Sequence, residues 1–274
     1  MKSVYMDNNA TTYMKKEVLD AMLPYYTTYF GNASSKFYEV GRQAESAVLK
    51  FRESIAKEIG ANTNEIYFTG SGCEADNWAI KGIADAYRAK GNHIITTSIE
   101  HHAILNTCQF LEKHGYDVTY LPVDEFGRVN PEDVEKAITD KTILISVMTA
   151  NNEIGVIEPI KEISKIAKAH KIIFHTDAVQ AIGHMKINVD DLGVDMLSVS
   201  GHKFHGPKGV GFLYIRKGIR ITNLIHGGGQ ERGKRAATEN VAGMAGIAKA
   251  LEIANAELDE NVAKMTKLRD MLID

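Results

Sequence analysis

A chain of 274 residues is long enough for one large domain or two ordinary ones. It is 44% hydrophobic and 24% charged with a net charge of −3, the make-up of a soluble globular protein, and so weak a balance gives no electrostatic case for nucleic acid or a membrane surface as partner. Cys73 and Cys108 stand in unrelated contexts, which argues against a disulfide framework or a zinc pattern and suits a cytoplasmic, reducing setting.

The opening stretch MKSVYMDNNATT lacks the apolar region of a signal peptide, and no run of about 18 apolar residues offers a membrane span. From there the chain alternates helix-like and strand-like segments. Residues 17–28 read as a short amphipathic helix. Residues 41–59 read as a charged helix with Val48, Phe51, Ile55 and Ile59 on one face. EIYFTG (65–70) is an apolar strand ended by glycine, and 73–89 is helical. HIITTS (93–98) is a strand, 103–114 a helix and VTYLPV (118–123) a strand. Pro131 opens a helix over 131–138 at a first-turn position that tolerates it. TILISVM (142–148) is a continuous apolar run, as in a strand covered on both faces. A helix over 160–170 precedes the strands IIFHTD (172–177), MLSVS (196–200) and GVGFLYI (209–215). From about Glu239 to the end the pattern is helical with few breakers, and exposed apolar residues are expected there at Ile247, Leu251, Met265 and Leu268.

So regular an alternation predicts an α/β fold around a mostly parallel central sheet, whose working residues lie beyond the carboxyl ends of the strands. Five strand ends carry polar or ionisable residues: Ser-Gly-Cys-Glu after EIYFTG, Ile-Glu-His-His after HIITTS, Thr-Ala-Asn-Asn-Glu after ILISVM, Asp177-Ala-Val-Gln180, and Gly-His-Lys203 after MLSVS. Taken singly these have plain readings. Asp177 could cap the next helix, His101 could be an ordinary histidine, Asn8-Asn9 could be a turn, Cys73 a small buried residue, and Lys203 a loop lysine. Taken together they fit one ligand. Lys203 is an amine able to form a Schiff base. Asp177 could hold a pyridinium proton, and His101 could lie flat against a ring. Asn152 and Gln180 could bond a phenolic oxygen. Gly70-Ser71-Gly72 opens a helix whose free N–H groups suit a phosphate. An aldehyde, a ring nitrogen, a phenolic oxygen and a phosphate are the handles of pyridoxal 5'-phosphate. No metal site is expected.

YMDNNATT, GSGCEADNWAIKG, SIEHHA, ANNEIGVI, FHTDAVQAIG, SGHKFHGPKGVG and HGGGQERGKRAATEN follow in order over nearly the whole chain. In them the chain resembles the NifS/IscS-type cysteine desulfurases, of the class V aminotransferase group of fold-type I pyridoxal phosphate enzymes. The resemblance implies the three-layer α/β large domain of that fold over 16–255, an N-terminal segment over 1–15, and at 256–274 the start of a helix leading to a small C-terminal domain that is largely missing. It implies that Lys203 forms the Schiff base and that His101 stacks on the ring and helps proton transfer. Asp177 would pair with the ring nitrogen, Gln180 with the phenolic oxygen, and Asn152 would lie near that oxygen and the substrate carboxylate. Gly72, Cys73, Ser200 and His202 would hold the phosphate, and Thr238 would reach the phosphate of the partner in a homodimer. L-Cysteine would be converted to L-alanine, its sulfur passing as an enzyme persulfide to an acceptor protein, an iron–sulfur scaffold or a thiolation enzyme. No nucleic acid or membrane partner is implied. The alternatives are another fold-type I activity (a selenocysteine lyase or an aminotransferase) and a non-catalytic cofactor-binding fragment.

The sequence departs from the family pattern at three points. Cys73 stands where threonine is usual, which removes a strong hydroxyl donor. Ala237 stands where glycine is usual, a costly exchange if the backbone needs a positive φ. The chain ends before the loop that carries the family's nucleophilic cysteine, and neither Cys73 nor Cys108 matches that position.

Overall fold

Each apolar run becomes a strand of one seven-stranded sheet in the computed structural model, which describes residues 4–274. Residues 1–3 of the segment expected over 1–15 lie outside the described residues. The strands are β1 (Ile66–Thr69), β2 (His93–Thr97), β3 (Asp117–Leu121), β4 (Thr142–Ser146), β5 (Ile173–Asp177), β6 (Met196–Ser200) and β7 (Gly211–Ile215), in the spatial order β1-β7-β6-β5-β4-β2-β3. The pairs β2–β3, β2–β4, β4–β5 and β5–β6 are parallel. Only β7 is reversed, antiparallel to both β6 and β1. Strands β2, β4, β5, β6 and β7 are buried almost throughout, as a sheet covered on both faces requires.

Helices cover both faces, giving the three layers expected. On one face α4 (Gly72–Ala86) and α5 (His102–Glu112) bury Trp78, Ile80, Ile83, Ile104 and Leu111 against Ile94, Leu144, Met196 and Leu213. On the other, α1 (Lys16–Met22), α3 (Glu39–Ile59), α6 (Pro131–Ala137), α7 (Ile160–Ala169), the one-turn α8 (Val189–Leu192) and α10 (Val241–Ala256) pack on Ile95, Ile145, Phe174, Leu197 and Phe212. The stripe read on 41–59 is the inner face of α3: Val48, Ile55 and Ile59 are buried and Phe51 packs against them. The helix expected over 17–28 is two pieces, α1 and α2 (Pro24–Thr27), because Pro24 cannot continue α1 but suits a first turn. Another single turn, α9 (Gln230–Gly233), was not read from the sequence.

The C-terminal helix also divides. Glu257 separates α10 from α11 (Leu258–Ile273). This corrects one expectation. Ile247 and Leu251 are fully buried because α10 packs on α1 and α3 inside the core. Met265 and Leu268, on α11, are about half exposed, as expected. Among the described residues no helix is long and apolar enough to cross a membrane.

Ala237 has φ 140°, a region L-residues rarely adopt. Its cost is of order 1 kcal/mol or more. Ala237→Gly is therefore expected to raise the thermal midpoint by about 2–4 °C, measured by calorimetry; an unchanged or lower midpoint would show that no strain is stored there.

Candidate active site

Because β1, β2, β4, β5 and β6 all run the same way, their carboxyl ends meet at one edge of the sheet. A cavity of about 560 Å³ opens there. His101, Asn152, Asp177, Gln180, Ser200, His202, Lys203, Gly72 and Cys73 all line it. Nine of the ten residues predicted for the site are thus brought together, from five strand ends. The tenth, Thr238, is exposed on the loop before α10 and does not line the cavity.

One wall is the start of α4. Ser71 caps it, its hydroxyl accepting from Glu74 N–H at 3.0 Å. The first-turn N–H groups of Gly72 and Cys73 have no acceptor among the described residues, which leaves them for an anion. A Cβ on Gly72 would sit 2.7 Å from Val179 Cγ2 and 3.1 Å from Ser200 Cβ, so only glycine lets this helix start close against β6. Gly211 does the same for β7, where a Cβ would meet Val199 O at 2.4 Å. Cys73 is exposed and adds a thiol that burial pushes upward, with Asp76 adding to the effect. The neutral thiol is a weak donor, so backbone N–H groups must carry this end.

The opposite wall holds the charges. Asp177 closes β5; its Oδ1 accepts from Val179 N–H at 2.8 Å, and burial pushes its carboxyl up to about 6. A buried acid of that kind gains by meeting a cation. Lys203 follows β6 on a short turn of 3-10 helix and donates to Asn9 O at 2.6 Å and Ala10 O at 3.1 Å. Burial lowers its pKa, against the pull of Asp177, Asp7 and Glu153. His101 caps α5, its Nδ1 accepting from Ala103 N–H at 3.1 Å. Burial lowers the His101 pKa, and His102 and Lys203 push it the same way, so the ring is neutral at pH 7. His202 is fixed through Nδ1 by the Thr11 hydroxyl at 3.0 Å.

Sequence reasoning missed part of the site. Residues 7–10 form a cavity wall as well as the turn that Asn8-Asn9 suggested. Asn9 donates to the Asn152 carbonyl and accepts from Gln180 Nε2 at 3.0 Å, so it ties together two predicted residues as well as Lys203. The motif YMDNNATT marked the segment but could not show that its carbonyls are what matters. Asp76, Met148 and Ala150 were also missed. Gly201 and Gly206, on either side of Lys203, serve the packing of its turn. A Cβ on Gly201 would crowd Ile247 and Pro207 O at 3.2 Å, and one on Gly206 would meet Gly201 O at 2.6 Å. They let the Lys203 turn close on itself and seat on α10.

These groups fit pyridoxal phosphate by their chemistry: an amine for the aldehyde, a buried acid for the ring nitrogen, Gln180 and Asn152 for the oxygen, and a cradle of N–H groups with Ser71, Ser200 and His202 for the phosphate.

Comparison with known proteins agrees. The profile of the family described as aminotransferase class-V matches residues 4–274. The chain is 62% identical over 272 residues to the cysteine desulfurase IscS of Clostridium botulinum, covering 99% of this chain and 68% of that protein. Among solved structures it is similar to a NifS-like protein, with a TM-score of 0.97 at 45% identity, covering 99% of this chain and 75% of the other. It is also similar to SspA in complex with cysteine, with a TM-score of 0.88 at 43% identity, covering 91% and 72%.

Proposed function

This chain belongs to the class-V aminotransferase family, and from that premise we propose that it works as a pyridoxal phosphate-dependent cysteine desulfurase. The observation that carries the reading is Lys203, an amine of lowered pKa held by main-chain carbonyls in the cavity that Asp177 faces. In the reaction the C–S bond of L-cysteine breaks, the sulfur passes to a thiol as a persulfide, and the carbon skeleton leaves as L-alanine.

Pyridoxal phosphate, when bound, supplies a ring that draws electrons from the substrate Cα. The chain's own residues do the rest. Asp177 keeps the ring nitrogen cationic. The N–H groups of Gly72 and Cys73, with Ser200 and His202, hold the phosphate. Gln180 and Asn152 orient the ring oxygen, both tied to Asn9. Lys203, once neutral, takes a proton at Nζ; neutral His101 moves one between substrate and thiol. Of the two cysteines, Cys108 is buried and its thiol is pushed up to about 12, and Cys73 sits at the phosphate end. Neither is the sulfur acceptor in this reading.

Two copies pair, each sending Thr238 to the other's phosphate; its exposure outside its own cavity supports this. The acceptor is an iron–sulfur scaffold or thiolation protein in the cytoplasm, where free Cys73 and Cys108 are at home. The chain divides into an N-terminal segment over 1–15, a large cofactor-binding domain over 16–255 and the start of a connecting helix over 256–274, a division supported by the break at Glu257. The test is direct. Cofactor-loaded protein given cysteine and a small dithiol is expected to yield alanine and sulfide in equal amounts. Neither product would overturn the activity, and a preference for selenocysteine would reassign it.

Asp177 gives a second expectation. Burial holds its carboxyl near 6 against the pull of Lys203, and a cationic ring nitrogen beside it would draw that value lower. Below pH 6 binding must therefore release a proton, and affinity for pyridoxal phosphate is expected to fall by about tenfold per pH unit. Above pH 6 it levels off. Asp177→Asn should bind weakly with no such slope. Equilibrium titrations at pH 5, 6 and 8 check it; a flat wild-type curve would remove Asp177 from this role.

A further inference from the structure

Behind Asp177 lies a second acid that the reaction above does not use. Asp76 points from α4 toward the sheet, is 1% exposed, and lines the same cavity. Among the described residues its Oδ1 has no hydrogen-bond partner. Among the described residues the titratable nitrogen within 4 Å of it is His175 Nε2, at 3.7 Å. That imidazole is no cation. Its Nδ1 meets the Ser146 hydroxyl and its Nε2 the Ser198 hydroxyl, both at 2.9 Å, and burial pushes it down to about 3. The other groups facing Asp76 are Asp177 on β5, Glu100 beyond β2 and Cys73 on its own helix, all of them acids. Among the described residues no lysine or arginine lies within ion-pair distance of Asp76.

A fully buried carboxylate with no cation and an unbonded oxygen neutralises itself by binding a proton. Two neighbouring carboxyls cannot both ionise cheaply. Asp177 has the Val179 N–H and the Lys203 charge on its side; Asp76 has neither, and the Ser198 hydroxyl is what favours its ionised form. We propose that Asp76 is a positioning residue of this site: it stays protonated behind Asp177, so that the pair carries one negative charge and Asp177 keeps it for the ring nitrogen. Its purpose rests on the cofactor reading above, but its protonation can be measured without cofactor. Were Asp76 ionised instead, its charge would push Asp177 toward neutrality and weaken the contact at the ring.

The full chain is labelled with 13C at the aspartate side-chain carboxyl and examined without cofactor at pH 7.5. One protonated aspartate signal is expected, and Asp76→Asn should delete it. Glu100, pushed up to about 8 by burial, is silent under this label. No protonated aspartate, or a signal that survives Asp76→Asn, overturns the proposal. Thermal unfolding gives an independent readout. An acid whose folded pKa is raised contributes stability below its unfolded value, and that stability is lost as pH rises toward the folded value. Wild type and Asp76→Asn should therefore unfold together near pH 4, and the variant should gain on wild type as pH rises to 9. Parallel curves overturn the proposal. If Asp76→Asn does not fold, pH titration of the labelled wild type decides alone: the signal must persist well above pH 7.5. Uptake of pyridoxal phosphate is scored separately. Its failure in wild type sinks the cofactor reading and leaves the protonation result standing.

Discussion

Lys203→Ala is expected to cut alanine release from cysteine by ~10³-fold or more and to abolish the protein-specific visible absorption of added pyridoxal phosphate. The size of the loss follows from the cavity. Lys203 supplies its amine, and among the described residues no other lysine lines it. Asn9 and Ala10 hold that amine through two carbonyl contacts, so its position costs no ordering at the moment of reaction. Burial lowers its pKa, which raises the neutral fraction that can accept a proton. Lys203→Arg is the informative partner. It keeps the positive charge near Asp177, yet a guanidinium does not give up its proton in proteins. If charge alone mattered, Lys203→Arg would retain activity; if proton transfer matters, both variants fail together. Activity above a tenth of wild type in Lys203→Ala would remove Lys203 from the chemistry. The assay is alanine formed per protein, with cofactor in excess so that weakened binding is not mistaken for lost catalysis.

What the sequence made legible has a physical pattern. Strands such as TILIS and MLSVS are buried on both faces, so their apolar runs stood out and their polar ends could be compared. Since five of those strands share a direction, that comparison amounted to reading one edge of the sheet. The reversal of β7 was not legible, because GFLYI looks the same in either direction. Backbone chemistry was equally hidden: the Asn9 and Ala10 carbonyls that hold Lys203 have no signature in side-chain type. Asp76 was overlooked for another reason. It lies inside GSGCEADN, a motif read for its phosphate-facing glycines, and an aspartate in a helix is ordinarily exposed. A helical pattern with few breakers from Glu239 onward hides the break at Glu257, which gives the core, with Ile247 and Leu251, to α10 and leaves the exposed stripe on α11.

HGGGQERG shows how far from the cavity the site's support reaches, and it carries the largest stability effect expected. Arg52 on α3 and Glu231 are both nearly fully buried and joined by two contacts of 2.7 Å. Arg52 also donates to Ile66 O at 2.6 Å and lies 4.8 Å from the centre of the Phe68 ring; Glu231 accepts from Phe68 N–H at 2.9 Å. The pair thus clamps the 226–237 loop to β1. That loop needs clamping, since Glu231 and Arg232 hold φ values of 48° and 59°, the left-handed region that non-glycine residues avoid. Arg52→Ala would leave a carboxylate buried without its cation, at a cost of about 3–5 kcal/mol. The thermal midpoint should fall by roughly 10 °C. Replacing both partners, as in Arg52→Met with Glu231→Leu, should recover most of that loss, since no buried charge is then stranded. Cofactor affinity should fall in Arg52→Ala as well. The same loop carries Arg235, which holds Glu74 at 2.7 and 3.0 Å, and Glu74 in turn accepts from Gly70 N–H at 2.8 Å, next to the phosphate end of the cavity. A double variant that recovers stability but not affinity would show that the loop's position, and not only the chain's stability, is what Arg52 secures. A single variant that melts with wild type would show that this clamp does not hold the loop.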